Sequence, residues 1–269
     1  VSAKEALKPK IQTWQIDGII SALDDGHPRV KGYALDELAA DDLQNLKSLG
    51  KKPEEIAQKA AKILKDEKVS ADVRGSAAKA LGNLGPAAAK YLPDLDNILK
   101  DEKVDANVRG SAAKALGNLG PAAAKYLPDL DNILKDQKVD PYVRISAAEA
   151  LGNLGPAAAK YLPDLDNILK DQKVDPYVRI SAAEALGNLG PAAAKYLPDI
   201  LNFLKDENVS ADLRDSAARA LGNLGSAAAN YLPDILHFLK DENVSAAFGE
   251  NFSTNSCLPT RPEVRSRCH

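Results

Sequence analysis

Methionine is absent from all 269 residues, cysteine occurs twice, tryptophan once and phenylalanine four times. Each scarcity excludes something. Both cysteines, Cys257 and Cys268, lie in the last 13 residues, so the rest of the chain holds neither a disulfide framework nor a thiolate metal site. No apolar run approaches the ~20 residues that a helix needs to cross a bilayer. Basic residues are not in excess: 35 Lys and Arg face 38 Asp and Glu, which leaves a net charge of −3 and little electrostatic support for a phosphate backbone. Aromatic anchors are few. A chain that opens on Val1 without any methionine reads as a processed, excised or engineered piece, with the cytosol as its default compartment.

What the chain does have is repetition. The string DEKVSADVRGSAAKALGNLGPAAAKYLPDLDNILK begins at Asp66 and restarts at Asp101, Asp136, Asp171 and Asp206, giving five units of 35 residues over 66–240. The first two differ only at Ser70/Asp105 and Asp72/Asn107; the third and fourth only at Leu165/Ile200, Asp166/Leu201 and Ile168/Phe203. A sixth copy opens at Asp241 and dissolves into unrelated sequence. The organisation read from this is a degenerate helical cap over 1–65, five tandem units over 66–240, and a truncated unit with an irregular tail over 241–269. HPRVKGYALDELA at 27–39 echoes DPYVRISAAEALG, which places about one and a half degenerate units, with an insertion near 40–52, inside the cap. Trp14, Ile16, Ile19, Ile20 and Leu23 mark its opening helix.

A period of this length with no strand pattern means two helices per unit. In the third unit Val143, Ala147, Leu151 and Leu154 form one apolar stripe, with Asp140 as its cap and Pro141 in its first turn. LGNLG breaks the chain, and Tyr161, Leu162, Leu165, Ile168 and Leu169 form a second stripe. Pro163 sits awkwardly in that stripe, because an interior proline forfeits a backbone hydrogen bond. Either one helix from Pro156 bends there or the main helix starts near Pro163; the bent helix is the preferred reading. Neither helix buries its stripe alone, so the units must stack side by side.

Catalysis needs a unique convergence of groups, and near-identical units offer the reverse. Acid pairs such as Asp94 and Asp96 recur in the next two units and read as a solvated face. His27 reads as a turn residue and His237 as a surface residue. Cys257, Cys268 and His269 match no zinc spacing and lack a fourth ligand; free thiols or a tail disulfide are the alternatives. The LGNLG glycines lack the context of a phosphate loop and read as helix ends and close helix approaches, with Asn83, Asn118, Asn153, Asn188 and Asn223 satisfying backbone groups in the turn. No catalytic, metal or cofactor site is expected.

Contact residues are sought where units differ. Tyr142 and Tyr177 replace Asp72, Asn107 and Asp212 at a helix start. On the second helix Asp96, Asp131 and Asp166 become Leu201 and Leu236, while Ile98, Ile133 and Ile168 become Phe203 and Phe238. Two readings stay open: tighter packing toward the C-terminal end, or an apolar patch of Leu201, Phe203, Leu236, His237 and Phe238 that meets a partner or a second copy of the chain.

LKD, then VR about eight residues on, then SAAxALGxLG resembles HEAT repeats, in particular the HEAT-like units named after phycobilin lyase subunits. The resemblance implies an all-α, right-handed superhelix whose second helices line the concave side. It also implies a ladder in which Arg74, Arg109, Arg144, Arg179 and Arg214 pair with Asp66, Asp101, Asp136, Asp171 and Asp206. The expected function is a non-catalytic scaffold that binds a protein partner through its concave face; a subunit of a tetrapyrrole lyase and a spacer within a longer protein are the alternatives.

Overall fold

The computed structural model describes residues 13–39 and 52–205, with isolated positions 209, 214, 218, 220–224 and 233. Three helices come first: α1 (Thr13–Leu23), α2 (Pro28–Ala39) and α3 (Lys52–Lys65). Four units follow, each an A helix, a 3-10 segment and a B helix. The A helices are α4 (Ala71–Asn83), α6 (Ala106–Asn118), α8 (Pro141–Asn153) and α10 (Pro176–Asn188). The B helices are α5 (Leu92–Lys100), α7 (Leu127–Lys135), α9 (Leu162–Lys170) and α11 (Leu197–Lys205). There is no strand among the described residues.

Each unit follows from its local chemistry. Asp140 accepts a hydrogen bond from the Tyr142 backbone N–H at 2.8 Å, and Pro141 occupies the first turn of α8, where no N–H is needed. The helix ends at LGNLG because Gly155 takes φ +60°, a left-handed conformation that a side chain would strain. Pro156 then opens a 3-10 segment, Gly155–Tyr161, and Pro163 lies in the first turn of α9. The bent helix expected from the sequence is therefore replaced by two elements. A proline costs no hydrogen bond only at a helix start, so the chain begins a new helix there rather than bending an old one.

Both stripes of the third unit are buried, from Val143 and Leu151 at full burial to Ile168 at 8% exposure. A helices pack on A helices, α4 on α6, α6 on α8 and α8 on α10, and α5, α7 and α9 each pack on the A helix that follows. The principal helix packing among the described residues joins the same or successive units, as in a solenoid. Small residues bring the A row together: a methyl group on Gly117 would sit 2.7 Å from the Cα of Ala150. In the opening helices α1 packs on α3 and α2 on α4. Ile16 and Leu23 are buried, whereas Trp14, counted in the same stripe from the sequence, is 73% exposed.

Candidate functional site

Of the acid pairs read as a solvated face, the first members, Asp94, Asp129 and Asp164, are half-buried and the second are out of water. Asp96, Asp131 and Asp166 are 4%, 4% and 5% exposed. One carboxylate oxygen of each, Oδ2, is ion-paired to the lysine one turn on, Lys100, Lys135 or Lys170. The same lysine reaches into the next unit, to Asp129 and Asp164 at 3.3 Å and to Asp199 at 3.5 Å. Each B-to-B interface thus carries one lysine between two aspartates. Oδ1 of the buried aspartate is left without a hydrogen-bond partner in all three units. Burial pushes these carboxyls above their ordinary value, the facing aspartate adds repulsion, and the lysine only partly offsets both. The lysines move up as well, held charged chiefly by the hydrogen bond to the buried aspartate. Spacing alone hid this, since the aspartate and the exposed residue beside it differ by one position on a short helix.

The fourth unit answers the same burial differently. Leu201 is 5% and Phe203 4% exposed, so neither belongs to an open apolar patch; of the two readings, packing holds for this pair. The Arg179 guanidinium lies over the Phe203 ring at 4.7 Å from its centre, a cation–π contact that isoleucine at this position cannot make. Leu236, His237 and Phe238 lie outside the described residues, as do Cys257, Cys268 and His269.

The arginine–aspartate ladder is corrected at Arg74, Arg109 and Arg144; Asp206, the expected partner at the far end, lies outside the described residues. Arg74, Arg109, Arg144 and Arg179 donate from Nε to the carbonyls of Leu64, Leu99, Leu134 and Leu169 at 2.9–3.0 Å. Those carbonyls lie in the last turn of the preceding helix, α3, α5, α7 or α9, where no intrahelical donor remains. Asp66, Asp101, Asp136 and Asp171 instead accept from the backbone N–H two residues on, fixing the turn between units. Asp136, Asp171 and Asp175 act on Arg144 only as through-space charges, against a burial that lowers its pKa. Among the turn asparagines, Asn83 does satisfy a backbone group, donating to the Ala39 carbonyl at 2.8 Å, but outside its own turn; Asn118 and Asn223 instead donate across units to Oδ1 of Asn83 and Asn188, at 3.5 and 2.9 Å.

The two tyrosines have different surroundings despite identical helix starts. Tyr142 is half-buried: its ring fills the space over Gly110, and Lys114 Nζ stands 5.5 Å from the ring centre. In the next unit Ile145 stands at the position of that glycine, and Tyr177 is 63% exposed. His27 is the turn residue expected, its Nδ1 accepting the Arg29 backbone N–H at 3.2 Å.

What remains accessible is the crest of the B helices. Pro93, Asn97 and Lys100 are exposed at i, i+4 and i+7, and the same positions recur on α7 and α9. Asn97, Asn132, Asn167 and Asn202 form a row with one exposed amide per unit, none of them hydrogen-bonded through its side chain within the described chain. An open groove at the N-terminal end, lined by Asp24, Glu55, Lys59, Lys62 and Tyr91 among others, is crossed by the Lys59–Asp24 and Lys59–Glu55 ion pairs. No described helix is long and apolar enough to cross a membrane.

Comparison with known proteins agrees with this architecture. A family profile for HEAT repeats matches residues 92–175 and 162–248, and one for the PBS lyase HEAT-like repeat matches residues 73–101. No curated protein sequence matches the chain. Among solved structures, an engineered protein superposes with a TM-score of 0.54 at 24% identity, covering 78% of this chain and 98% of its own. The karyopherin Kap121p, bound to the SUMO protease Ulp1p, gives 0.58 at 18% identity over 89% of this chain, which spans only 29% of the karyopherin chain. The CpcE–CpcF complex of phycocyanin lyase from Nostoc sp. PCC7120 gives 0.49 at 20% identity, over 87% of this chain and 97% of that one. With profile matches over more than half its length and the stacked helix pairs described above, this chain belongs to the HEAT repeat family, as a helical repeat scaffold.

Proposed function

We propose that this scaffold is non-catalytic and binds a protein partner along the crest of its B helices, the side that the resemblance to HEAT repeats makes concave. The observation that carries the reading is the uninterrupted row of exposed, unengaged amides at Asn97, Asn132, Asn167 and Asn202. A repeated polar row is a poor catalytic site, because identical groups one unit apart do not converge on one reacting atom. It is a good docking track, because every unit presents the same donors and acceptors in register. Tyr177, exposed on the A-helix side, is a secondary candidate contact; Tyr142 is less so, because its ring is committed to the space over Gly110.

The test is cross-linking and mass spectrometry on partners captured by the intact chain. Cross-links should fall on Lys100, Lys135 and Lys170, and capture should be lost in the Asn132→Arg, Asn167→Arg double variant. Cross-links confined to the A-helix side around Tyr177 would refute the assignment of the crest.

A further inference from the structure

We infer that the outward side of α2 is a two-fold interface with a second copy of this chain, closed by Arg29 of each copy on Glu37 of the other. In later units one side of the A helix looks back at the A helix before it. Tyr142 and Ser146 lie over Gly110, Ala150 over Gly117, and Val73 beside Gly32. With 27–39 aligned on 140–152, Arg29, Val30, Tyr33 and Glu37 take the places of Tyr142, Val143, Ser146 and Ala150. No described A helix precedes α2, and all four residues are exposed. Val143, Ser146 and Ala150 are fully buried. Trp14, Val30 and Tyr33, on the two opening helices, are three of the four large apolar side chains exposed on the described chain. Apolar side chains gathered at one open end mark a contact.

The side chains decide which contact. Another A helix cannot seat there at the array's spacing, because Tyr33 stands in place of the serine and Glu37 in place of the alanine that allow close approach. Charge then selects the occupant. Arg29 and Glu37 are eight residues apart, about 12 Å along the helix, too far to pair with each other. Neither has an ion pair within the described chain. Arg29 donates to the Tyr33 hydroxyl at 3.2 Å, with its guanidinium 6.0 Å from the ring centre. Two such helices laid antiparallel set Arg29 of each against Glu37 of the other, with Tyr33, midway between, at the axis. A two-fold contact needs a surface complementary to itself, and a cation and an anion equally spaced about one aromatic ring supply it. The two opening helices are each about 17 Å long, so the face is small and the dimer weak, with a Kd of about 10–100 µM.

The test is sedimentation equilibrium of the full chain from about 1 to about 300 µM. The mass should rise from one chain toward two and no further. Arg29→Glu and Glu37→Arg should each weaken the dimer by about tenfold or more, since symmetry counts every change twice and sets like charges face to face. The Arg29→Glu, Glu37→Arg double variant should dimerise as the parent does. No role within one chain gives that rescue, because the two residues do not touch. All these residues are exposed, so each variant should keep the helical signal of the parent. In a Cys257→Ser, Cys268→Ser background, Tyr33→Cys should form a disulfide-linked dimer on oxidation, and Asn97→Cys, exposed on a B helix, should not. A chain that stays monomeric at every concentration overturns the inference, whether residues 1–12, another protein or water meets the face. So does a mass that grows beyond two, the sign of head-to-tail stacking, and so does a double variant no better than the single ones.

Discussion

The third and fourth units differ at three positions and handle the same buried site in opposite ways. At Asp166 a carboxylate is taken out of water, paired to Lys170 through one oxygen and left unsatisfied at the other. At Leu201 the same position is apolar, and Phe203 beside it receives the Arg179 guanidinium on its face. The backbone is common to both, so the position itself demands burial and not a chemical class. Burying an ion pair seldom adds net stability over a well-packed apolar pair, because desolvation offsets the attraction. The aspartates of the first three units therefore add little net stability over the leucine of the fourth.

That comparison breaks most sharply when the cation is removed. Lys135→Met leaves Asp131 buried beside Asp164 without a counter-charge, and should cost about 2–3 kcal/mol at neutral pH, discounted from the fully buried case because the lysine is 43% exposed. Denaturant titration monitored by local hydrogen exchange is the appropriate readout, since repeat arrays open unit by unit. The cost should shrink as pH falls and Asp131 takes up its proton; a pH-independent loss would mean that packing of the lysine stem, not charge, is what was removed.

Exchanging the two solutions comes next. Leu201→Asp places a carboxylate next to Phe203 and should destabilise the fourth unit by about 2 kcal/mol. Adding Phe203→Ile rebuilds the pair of the earlier units and should return part of the loss; strict additivity of the two changes would show that the positions are independent. The reverse change, Asp131→Leu, should raise stability by about 1–2 kcal/mol.

The pH dependence sharpens the same contrast. A carboxyl whose pKa is raised on folding stabilises the folded state fully below its unfolded value of 3.8 and progressively less as pH rises through the folded value. Asp96, Asp131 and Asp166 should therefore make the first three units lose stability as pH climbs from about 4 toward neutrality. In Asp131→Leu that slope should flatten locally. For Lys135, also raised, the contribution holds below 10.5 and is lost above it, so the ion-pair clusters should weaken again in strong alkali. Melting curves across that range check both limbs. The smallest effect is expected at Tyr177→Ala, within about 0.5 kcal/mol because the ring is exposed, whereas Tyr142→Ala should cost more by emptying the space over Gly110. Equal costs would contradict the different placements of the two rings.

Periodicity by itself determined the stacked helix pairs, both apolar stripes, the cap at Asp140 and the glycine break. Those features depend on residue type at helical spacing and on local hydrogen bonding, which a neighbour changes little. It did not determine the helix count within the second half of each unit, because Pro163 is compatible with either a kink or a start until packing chooses. Nor could it tell that Asp166 is buried and Asn167 exposed. On a nine-residue helix two adjacent positions differ by 100° of rotation, and only the placement of the next unit decides which of them meets water. The arginines were legible as special but not in their partners, since the carbonyls that receive them belong to the previous unit's helix end. Tertiary stacking likewise left Asn97, Asn132, Asn167 and Asn202 as the open polar row: it covered Asp96, Asp131, Asp166 and Leu201 beside them and brought Lys100, Lys135 and Lys170 across the interfaces.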